Sequence, residues 1–386
     1  MNGELRNLPL PRGIRSRVVD NHNGLSMHVL EAGFETPGRP CLLLLHGFPE
    51  LAFSWRKIMV PLAAAGYHVV APDHRGYGRT TGSQAWDSAD PSEFRLLNLA
   101  RDALGLVFAL GYRKVAGVIG HDVGSFVAAW CSLLRPDVFA SAVLMSAPFG
   151  GPPRMPFGTA TSDSAPQDSG IRSMADIVAE LQTLNPPRKH YQWYYSGPQA
   201  NDDMLNAKQG LHAFLRAYYH AKSGDWAANK PSPLTALTAE ELVKLPTYYV
   251  MNANESMPET VAAQMPTARE VSECEWLPDA DLAVYVDEYQ RTGFQGCLGF
   301  YRCITDPRFG LEMQTWSNAA IQIPTCFIAG KSDWGIYQKP GDYEAMQTQA
   351  CANFAGSHLI EGAGHWIQQE KPQAVLDHLL AFLKPN

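Results

Sequence analysis

Val118-Ile119-Gly120-His121-Asp122-Val123-Gly124 is the stretch that decides how the rest of the chain is read. An apolar run passes through Gly-x-Asp-x-Gly into residues 123–134, whose apolar spacing is helical. A strand that enters a helix so abruptly must bend sharply. Small residues flank such a bend because larger side chains would collide, and the central residue is left at the tip. This is the pattern of a nucleophile elbow. Asp122 holds the position that Ser more commonly takes, and Ser125 is out of register by three. A carboxylate there attacks a strained or activated sp³ carbon and forms an ester that water must cleave. Asp is also a favoured helix N-cap, so Asp122 could instead simply cap the helix that starts at Val123.

Working outward, 41–45 is a continuous apolar run, as expected for a parallel strand covered on both faces, and 68–71 and 115–119 repeat it. Residues 18–19 and 25–30 suggest an early pair of strands. A helix is expected over 94–110, stopped by Gly111, and a further strand over 139–145. Strand and helix alternating in this order predict an α/β fold with a mostly parallel, doubly wound sheet. From 148 to 170 the chain is rich in Pro, Gly, Ser and Asp and reads as a long loop. Helix-like, aromatic windows then dominate as far as 309, among them 204–221. Sheet-type alternation is weak there, and 248–251 is ambiguous. The β/α pattern resumes with strands at 324–329 and 358–360 and a helix at 374–383. The expected organisation is a core over 1–147, a linker and inserted helical lid over 148–309, and the rest of the core over 310–386.

The run 41–45 leads into His46-Gly47-Phe48-Pro49-Glu50, a glycine turn that can aim backbone N–H groups at the elbow. The amides of Phe48 and Val123 are the expected oxyanion donors. Asp333 follows the strand at 324–329, and His365 lies in Glu361-Gly362-Ala363-Gly364-His365-Trp366 after the last strand. The order nucleophile, acid, histidine is that of α/β-hydrolases. His365 would take a proton from water, and Asp333 would fix its tautomer and steady the imidazolium. Residues 143–151 hold no carboxylate that competes with Asp333 for that role.

Composition narrows the field. The 386 residues are 46% hydrophobic and 18% charged, ordinary for a globular enzyme. The net charge is −7 and no Lys/Arg block occurs, so nucleic acid is not an expected partner. The longest apolar runs are too short to span a bilayer, and 1–17 lacks a signal-peptide stretch. Seven cysteines, an odd number with no C-x-x-C pair, read as reduced thiols in a cytoplasmic protein. Neither H-E-x-x-H nor a cysteine cluster occurs, and no metal or other cofactor is expected.

With these segments in view, the chain resembles the soluble epoxide hydrolases of the α/β-hydrolase superfamily. The likeness rests on His46-Gly47-Phe48-Pro49, Pro72-Asp73-His74-Arg75-Gly76-Tyr77-Gly78, Gly120-His121-Asp122 and Gly364-His365-Trp366. It covers most of the chain outside the linker and 225–278. It implies hydrolysis of an epoxide to a vicinal diol, with the epoxide and water as the only partners besides a homodimer, which the sequence allows. It further implies two lid tyrosines that hydrogen-bond the epoxide oxygen. Tyr191, in Tyr191-Gln192-Trp193-Tyr194-Tyr195, takes the first role and Tyr301 the second; Tyr194 or Tyr195 could replace Tyr191. His46, Pro49, Trp193, Trp334 and Trp366 are expected to line the substrate pocket. Two departures stand out: Val123 where family members often have Trp, and an enlarged lid at 225–278.

Haloalkane dehalogenases share the Asp elbow and are the nearest rival. They hold a departing halide with side-chain donors, which Val123 and Phe48 do not supply. The elbow lacks the arginines a fluoroacetate dehalogenase would need, and an esterase would need Ser in place of Asp122. A non-catalytic binding protein on this fold is the reading from another class; a missing triad member would be its mark, and none is missing.

Overall fold

The computed structural model describes residues 5–83, 91–155 and 174–383. The first six strands are β1 (Ile14–Asp20), β2 (Ser26–Ala32), β3 (Cys41–Leu45), β4 (His68–Pro72), β5 (Gly117–His121) and β6 (Ala142–Met145). A long insertion follows, in which β7 (Arg188–His190) and β8 (Val250–Asn252) pair with each other. The chain then returns through β9 (Thr325–Gly330) and β10 (Phe354–Ile360). The main sheet has the order β1-β2-β4-β3-β5-β6-β9-β10. Every pairing from β4 to β10 is parallel, and β2 runs antiparallel to both of its neighbours.

Every residue of β3 to β6 is buried. That is why these strands read as unbroken apolar runs rather than as alternation, since helices cover both faces. On one face α1 (Arg56–Ala64) packs beside the C-terminal helix, with Ile58, Leu62, Val375 and Leu379 in one apolar cluster. On the other, α2 (Leu96–Ala109) and α3 (Val123–Leu134) bring Leu99, Leu106, Val127 and Ala128 against Leu43 and Val118. Each fully buried Leu, Ile or Val of this kind contributes about 2 kcal/mol. At the sheet's edge β1 alternates little and is largely exposed, and its Arg15 and Arg17 pair with buried Glu31 of β2.

The insertion carries the helices α4 (Met174–Thr183), α5 (Tyr191–Ser196), α6 (Ala200–Leu205), α7 (Leu211–Lys222) and α8 (Ala239–Leu242). After β8 come α9 (Met257–Ala262), α10 (Ala268–Glu273), α11 (Asp279–Thr292), α12 (Gln295–Thr305) and α13 (Pro307–Met313). The core ends with α14 (Asp342–Ala345), α15 (Ile367–Glu370) and α16 (Pro372–Leu383).

Several expectations shift. The strand read at 115–119 is β5 at Gly117–His121, and Val115 makes only an isolated bridge to Phe139, outside the shortened β6. The helix read over 204–221 is two helices, because Gly210 sits at φ 83° between α6 and α7. The ambiguous 248–251 holds most of β8. The loop read at 148–170 lies outside the described residues from 156 onward.

Six of the seven cysteines are buried and Cys274 is partly exposed. Among the described residues no helix is long and apolar enough to cross a membrane.

Candidate active site

β5 hands over to α3 through Asp122, which holds φ 53° and ψ −116°. A non-glycine residue with positive φ carries roughly 1–3 kcal/mol of strain, which the surrounding structure must hold in place. The Asp122 side chain makes no capping bond to α3, so the N-cap alternative does not describe it. The glycines around it are obligatory for space. A Cβ on Gly120 would stand 2.0 Å from the Gly124 carbonyl oxygen, and one on Gly124 would stand 2.1 Å from that of Leu45. A Cβ on Gly47 would meet Asp122 Cβ at 2.4 Å, so the turn after β3 can approach the carboxylate only as glycine.

That approach lets the Phe48 amide donate to Asp122 Oδ1 at 3.0 Å. Val123, the other expected amide donor, opens α3, where the first N–H groups have no partner within the helix. On the far side of the carboxylate, His365 Nε2 lies 3.3 Å from Asp122 Oδ2. This is ion-pair distance but outside hydrogen-bond geometry, so buried Nε2 keeps no hydrogen-bond partner. His365 Nδ1 lies 3.1 Å from both oxygens of Asp333. Burial, the largest influence, and Lys222 both lower the His365 pKa; Asp333 and Asp122 outweigh them and hold it above its ordinary 6.5. Burial would raise Asp122, yet the adjacent imidazole of His365, when charged, and the charge of Lys222 hold it well below the carboxylate range. Asp333 is likewise held down against burial, chiefly by His365.

The His365 backbone is fixed from three sides. Its N–H donates to the Lys222 carbonyl at 2.8 Å, where α7 of the insertion ends. Its own carbonyl is 2.7 Å from His121 Nε2 and accepts from Ser146 Oγ at 3.1 Å. The flanking amides of Gly364 and Trp366 donate to Glu370 at 2.9 Å each, and that carboxylate also accepts from Gly224 at 2.8 Å. Burial pushes Glu370 up to about 7 despite these three donors. Below the elbow, Glu50 is fully buried, 2.6 Å from His121 Nδ1, and accepts from Gln368 at 2.9 Å and Gln369 at 2.8 Å. Glu50, His121, Lys222 and Glu370 are not among the site residues expected from sequence. Glu50 and His121 stand in motifs quoted above, Lys222 meets His365 from far away in sequence, and Glu370 joins the local amides of Gly364 and Trp366 to the distant Gly224.

Asp122 opens onto a cavity of about 360 Å³. Val123, Phe126, Phe300 and Ile304 supply apolar wall, and Tyr191, Tyr301, His190, Gln192 and Gln338 supply polar groups. The rings of Tyr191 and Tyr301 are 6.0 Å apart. Burial, with Asp122 adding, raises both phenols well above 10, so both remain protonated donors. In this state the Tyr191 hydroxyl donates to Gln338 Oε1 at 2.9 Å and accepts from Gln192 Nε2 at 3.3 Å. Tyr194 turns away to Asp203 at 2.9 Å, and Tyr195 donates to Tyr218 at 3.2 Å.

Of the residues expected in the pocket, Trp193 lines the cavity, whereas His46, Pro49, Trp334 and Trp366 are not among its described lining residues. His46 is buried between the rings of His74 and Tyr77, at 4.5 and 4.8 Å. Pro49 offers its carbonyl to the Tyr219 hydroxyl at 3.1 Å. Trp366 donates its indole N–H to the Tyr219 carbonyl at 2.8 Å and packs on that ring. Trp334 is buried in the 3-10 turn after Asp333. Adjacency in sequence to a site residue does not carry a side chain to the same face of its loop.

Residues 40–372 match the family described as the alpha/beta hydrolase fold. Epoxide hydrolase B of Mycobacterium tuberculosis is 31% identical over 386 residues, covering 94% of this chain and 96% of that protein. Epoxide hydrolase A of the same organism is 31% identical over 373 residues, covering 95% and 96%. Among solved structures, an epoxide hydrolase from an endophytic Streptomyces superposes with a TM-score of 0.74 at 30% identity, covering 97% of this chain and 96% of that one. Potato epoxide hydrolase I superposes with a TM-score of 0.69 at 28% identity, covering 96% and 99%.

Proposed function

The chain is a member of the epoxide hydrolase family of the α/β-hydrolase fold, and on that premise we propose that it converts epoxides to vicinal diols through an ester on Asp122. A carboxylate at the tip of the elbow, with His365 3.3 Å from one oxygen and two protonated tyrosines sharing its cavity, carries the reading.

In the first step Asp122 attacks one epoxide carbon. The ring C–O bond breaks, its electron pair goes to oxygen, and that oxygen takes a proton from Tyr301 or Tyr191. The Phe48 amide already holds Oδ1, which suits that oxygen to become the ester carbonyl and leaves Oδ2 as the attacking atom. The product is a hydroxyalkyl ester and a tyrosinate. In the second step His365 Nε2 takes a proton from water, and the hydroxide attacks the ester carbonyl carbon. The amides of Phe48 and Val123 hold the oxyanion, and Asp333 steadies the imidazolium through Nδ1. Collapse expels the diol oxygen, which is protonated from the imidazolium. The remaining proton of the cleaved ester restores the tyrosine and leaves Asp122 ionised.

The insertion from 148 to 309 serves in this scheme as a lid that carries both tyrosines over the elbow. Tyr191 fits the first donor role better than Tyr194 or Tyr195, whose hydroxyls face Asp203 and Tyr218. A haloalkane dehalogenase would need side-chain donors for a halide beside the elbow. Val123 and Phe48 offer only backbone N–H there. The deciding experiment measures diol formation from a panel of epoxides beside halide release from haloalkanes, for wild type and Asp122→Ala. Diol that disappears with Asp122 is expected; halide without diol overturns the reading.

A further inference from the structure

Lys222, the last residue of α7, has its side chain buried at 3% exposure, and the two steps above make no use of it. Its ammonium is surrounded by ring faces: Tyr249 at 4.9 Å, Trp366 at 5.4 Å, Tyr218 at 5.5 Å and Tyr248 at 6.0 Å. Three of these rings belong to the insertion. The fourth follows His365, and its ring is 4.7 Å from the imidazole. The main chain binds the two residues directly, since the Lys222 carbonyl accepts the His365 N–H. Aromatic faces hold a cation without neutralising it, as a paired carboxylate would, so its field still acts on its neighbours. Burial lowers the Lys222 pKa, and the charges of Asp122, Asp333 and Glu50 act against that and favour the ammonium.

The charges around His365 come from every element packed on it. Asp122 faces Nε2, Asp333 faces Nδ1, Glu50 acts from behind His121, and Lys222 acts from α7. Esterification removes the charge of Asp122 from beside Nε2 and leaves it on the tyrosinate of Tyr301 or Tyr191 across the cavity. Asp333 and Glu50 still favour the imidazolium, which cannot take a proton from water. Burial and the Lys222 ammonium oppose them.

We propose that Lys222 is a positioning residue whose caged ammonium keeps His365 neutral while Asp122 is esterified, so that the imidazole is free to activate water. This rests on His365 being the base. The lowering influence of Lys222 on His365 agrees with the geometry.

The test follows ester decay in single turnovers of the full-length enzyme with styrene oxide, from about pH 5 to about pH 9. Lys222→Met is expected to move the acid limb of ester decay up by roughly one pH unit. Below that limb decay slows about tenfold, while the alkaline plateau stays close to wild type. Lys222→Arg keeps the charge and is expected to leave the limb in place. An unmoved limb in folded Lys222→Met overturns the proposal. Lys222→Gln is read in the same way if the Met variant does not fold. Failure of both to fold also overturns it, by making the lysine a structural staple. Absence of an ester or of any acid limb in wild type would instead remove His365 from the role of base, a distinguishable result.

Discussion

The amide of Phe48 donates to Asp122 Oδ1 in the resting enzyme, so the donor proposed for the oxyanion already grips the nucleophile. The two carboxylate oxygens are thereby made unequal before substrate arrives. A single turnover in ¹⁸O-water is expected to give unlabelled diol, with the label in the Asp122 carboxylate of the recovered peptide. Label in the diol at that stage would mean that water attacks the epoxide directly.

His365→Gln removes the proposed base and leaves the glycines of the elbow unchanged. Mass spectrometry of this variant after incubation with an epoxide is expected to show an adduct of the full epoxide mass on the peptide containing Asp122. Binding of the epoxide without an adduct would count against a covalent route.

In the proposed mechanism the two cavity tyrosines give up a proton in ring opening and are restored only after the ester is cleaved. Tyr301→Phe and Tyr191→Phe are each expected to slow ester formation on the order of 10²-fold, as loss of one preorganised donor does. Ester decay should change little. Stopped-flow separation of the two phases checks this, and an equal slowing of both phases would move the tyrosines out of the proposed role.

His365 titrates above 6.5 in the free enzyme, raised by Asp333 and Asp122 against burial and Lys222. Esterification deletes the contribution of Asp122, and the imidazole then loses its proton at a lower pH. The acid limb of ester decay is therefore expected below the pH at which His365 titrates in the free enzyme by NMR. A limb at higher pH contradicts the assigned order of influences.

Gly124→Ala places a methyl 2.1 Å from the Leu45 carbonyl oxygen, a backbone atom that cannot swing aside. Urea melts are expected to show a loss of about 3 kcal/mol or more. Gly111→Ala has open space and faces only its positive φ of 85°, for an expected loss of about 1 kcal/mol. Similar losses for the two would mean that the elbow relaxes freely.

What the sequence disclosed follows the range of the forces involved. β3 and β4 were legible because burial on both faces leaves a continuous apolar run. The elbow was legible because its two steric requirements, Gly120 and Gly124, flank Asp122 in the chain itself. The pair β7–β8 was not, since three-residue strands with the polar sequence Arg188-Lys189-His190 show no alternation. The orientation of Trp366 depends on Tyr219, and that of His46 on His74 and Tyr77, partners that no local pattern names. The aromatic box around Lys222 is assembled from three separate stretches of chain and has no motif at all.

The burial of the cysteines gives the protein a practical property. Burial pushes the thiols of Cys326 and Cys351 up to about 12, and Cys274 is the one cysteine that is not buried. With Cys274 changed to Ser, the native enzyme is close to a blank background for maleimide chemistry. A cysteine added to the exposed side of α10 and another on α16 would then take a pair of fluorophores with little competition. The distance between the inserted helices and the sheet could be followed in real time as substrate enters.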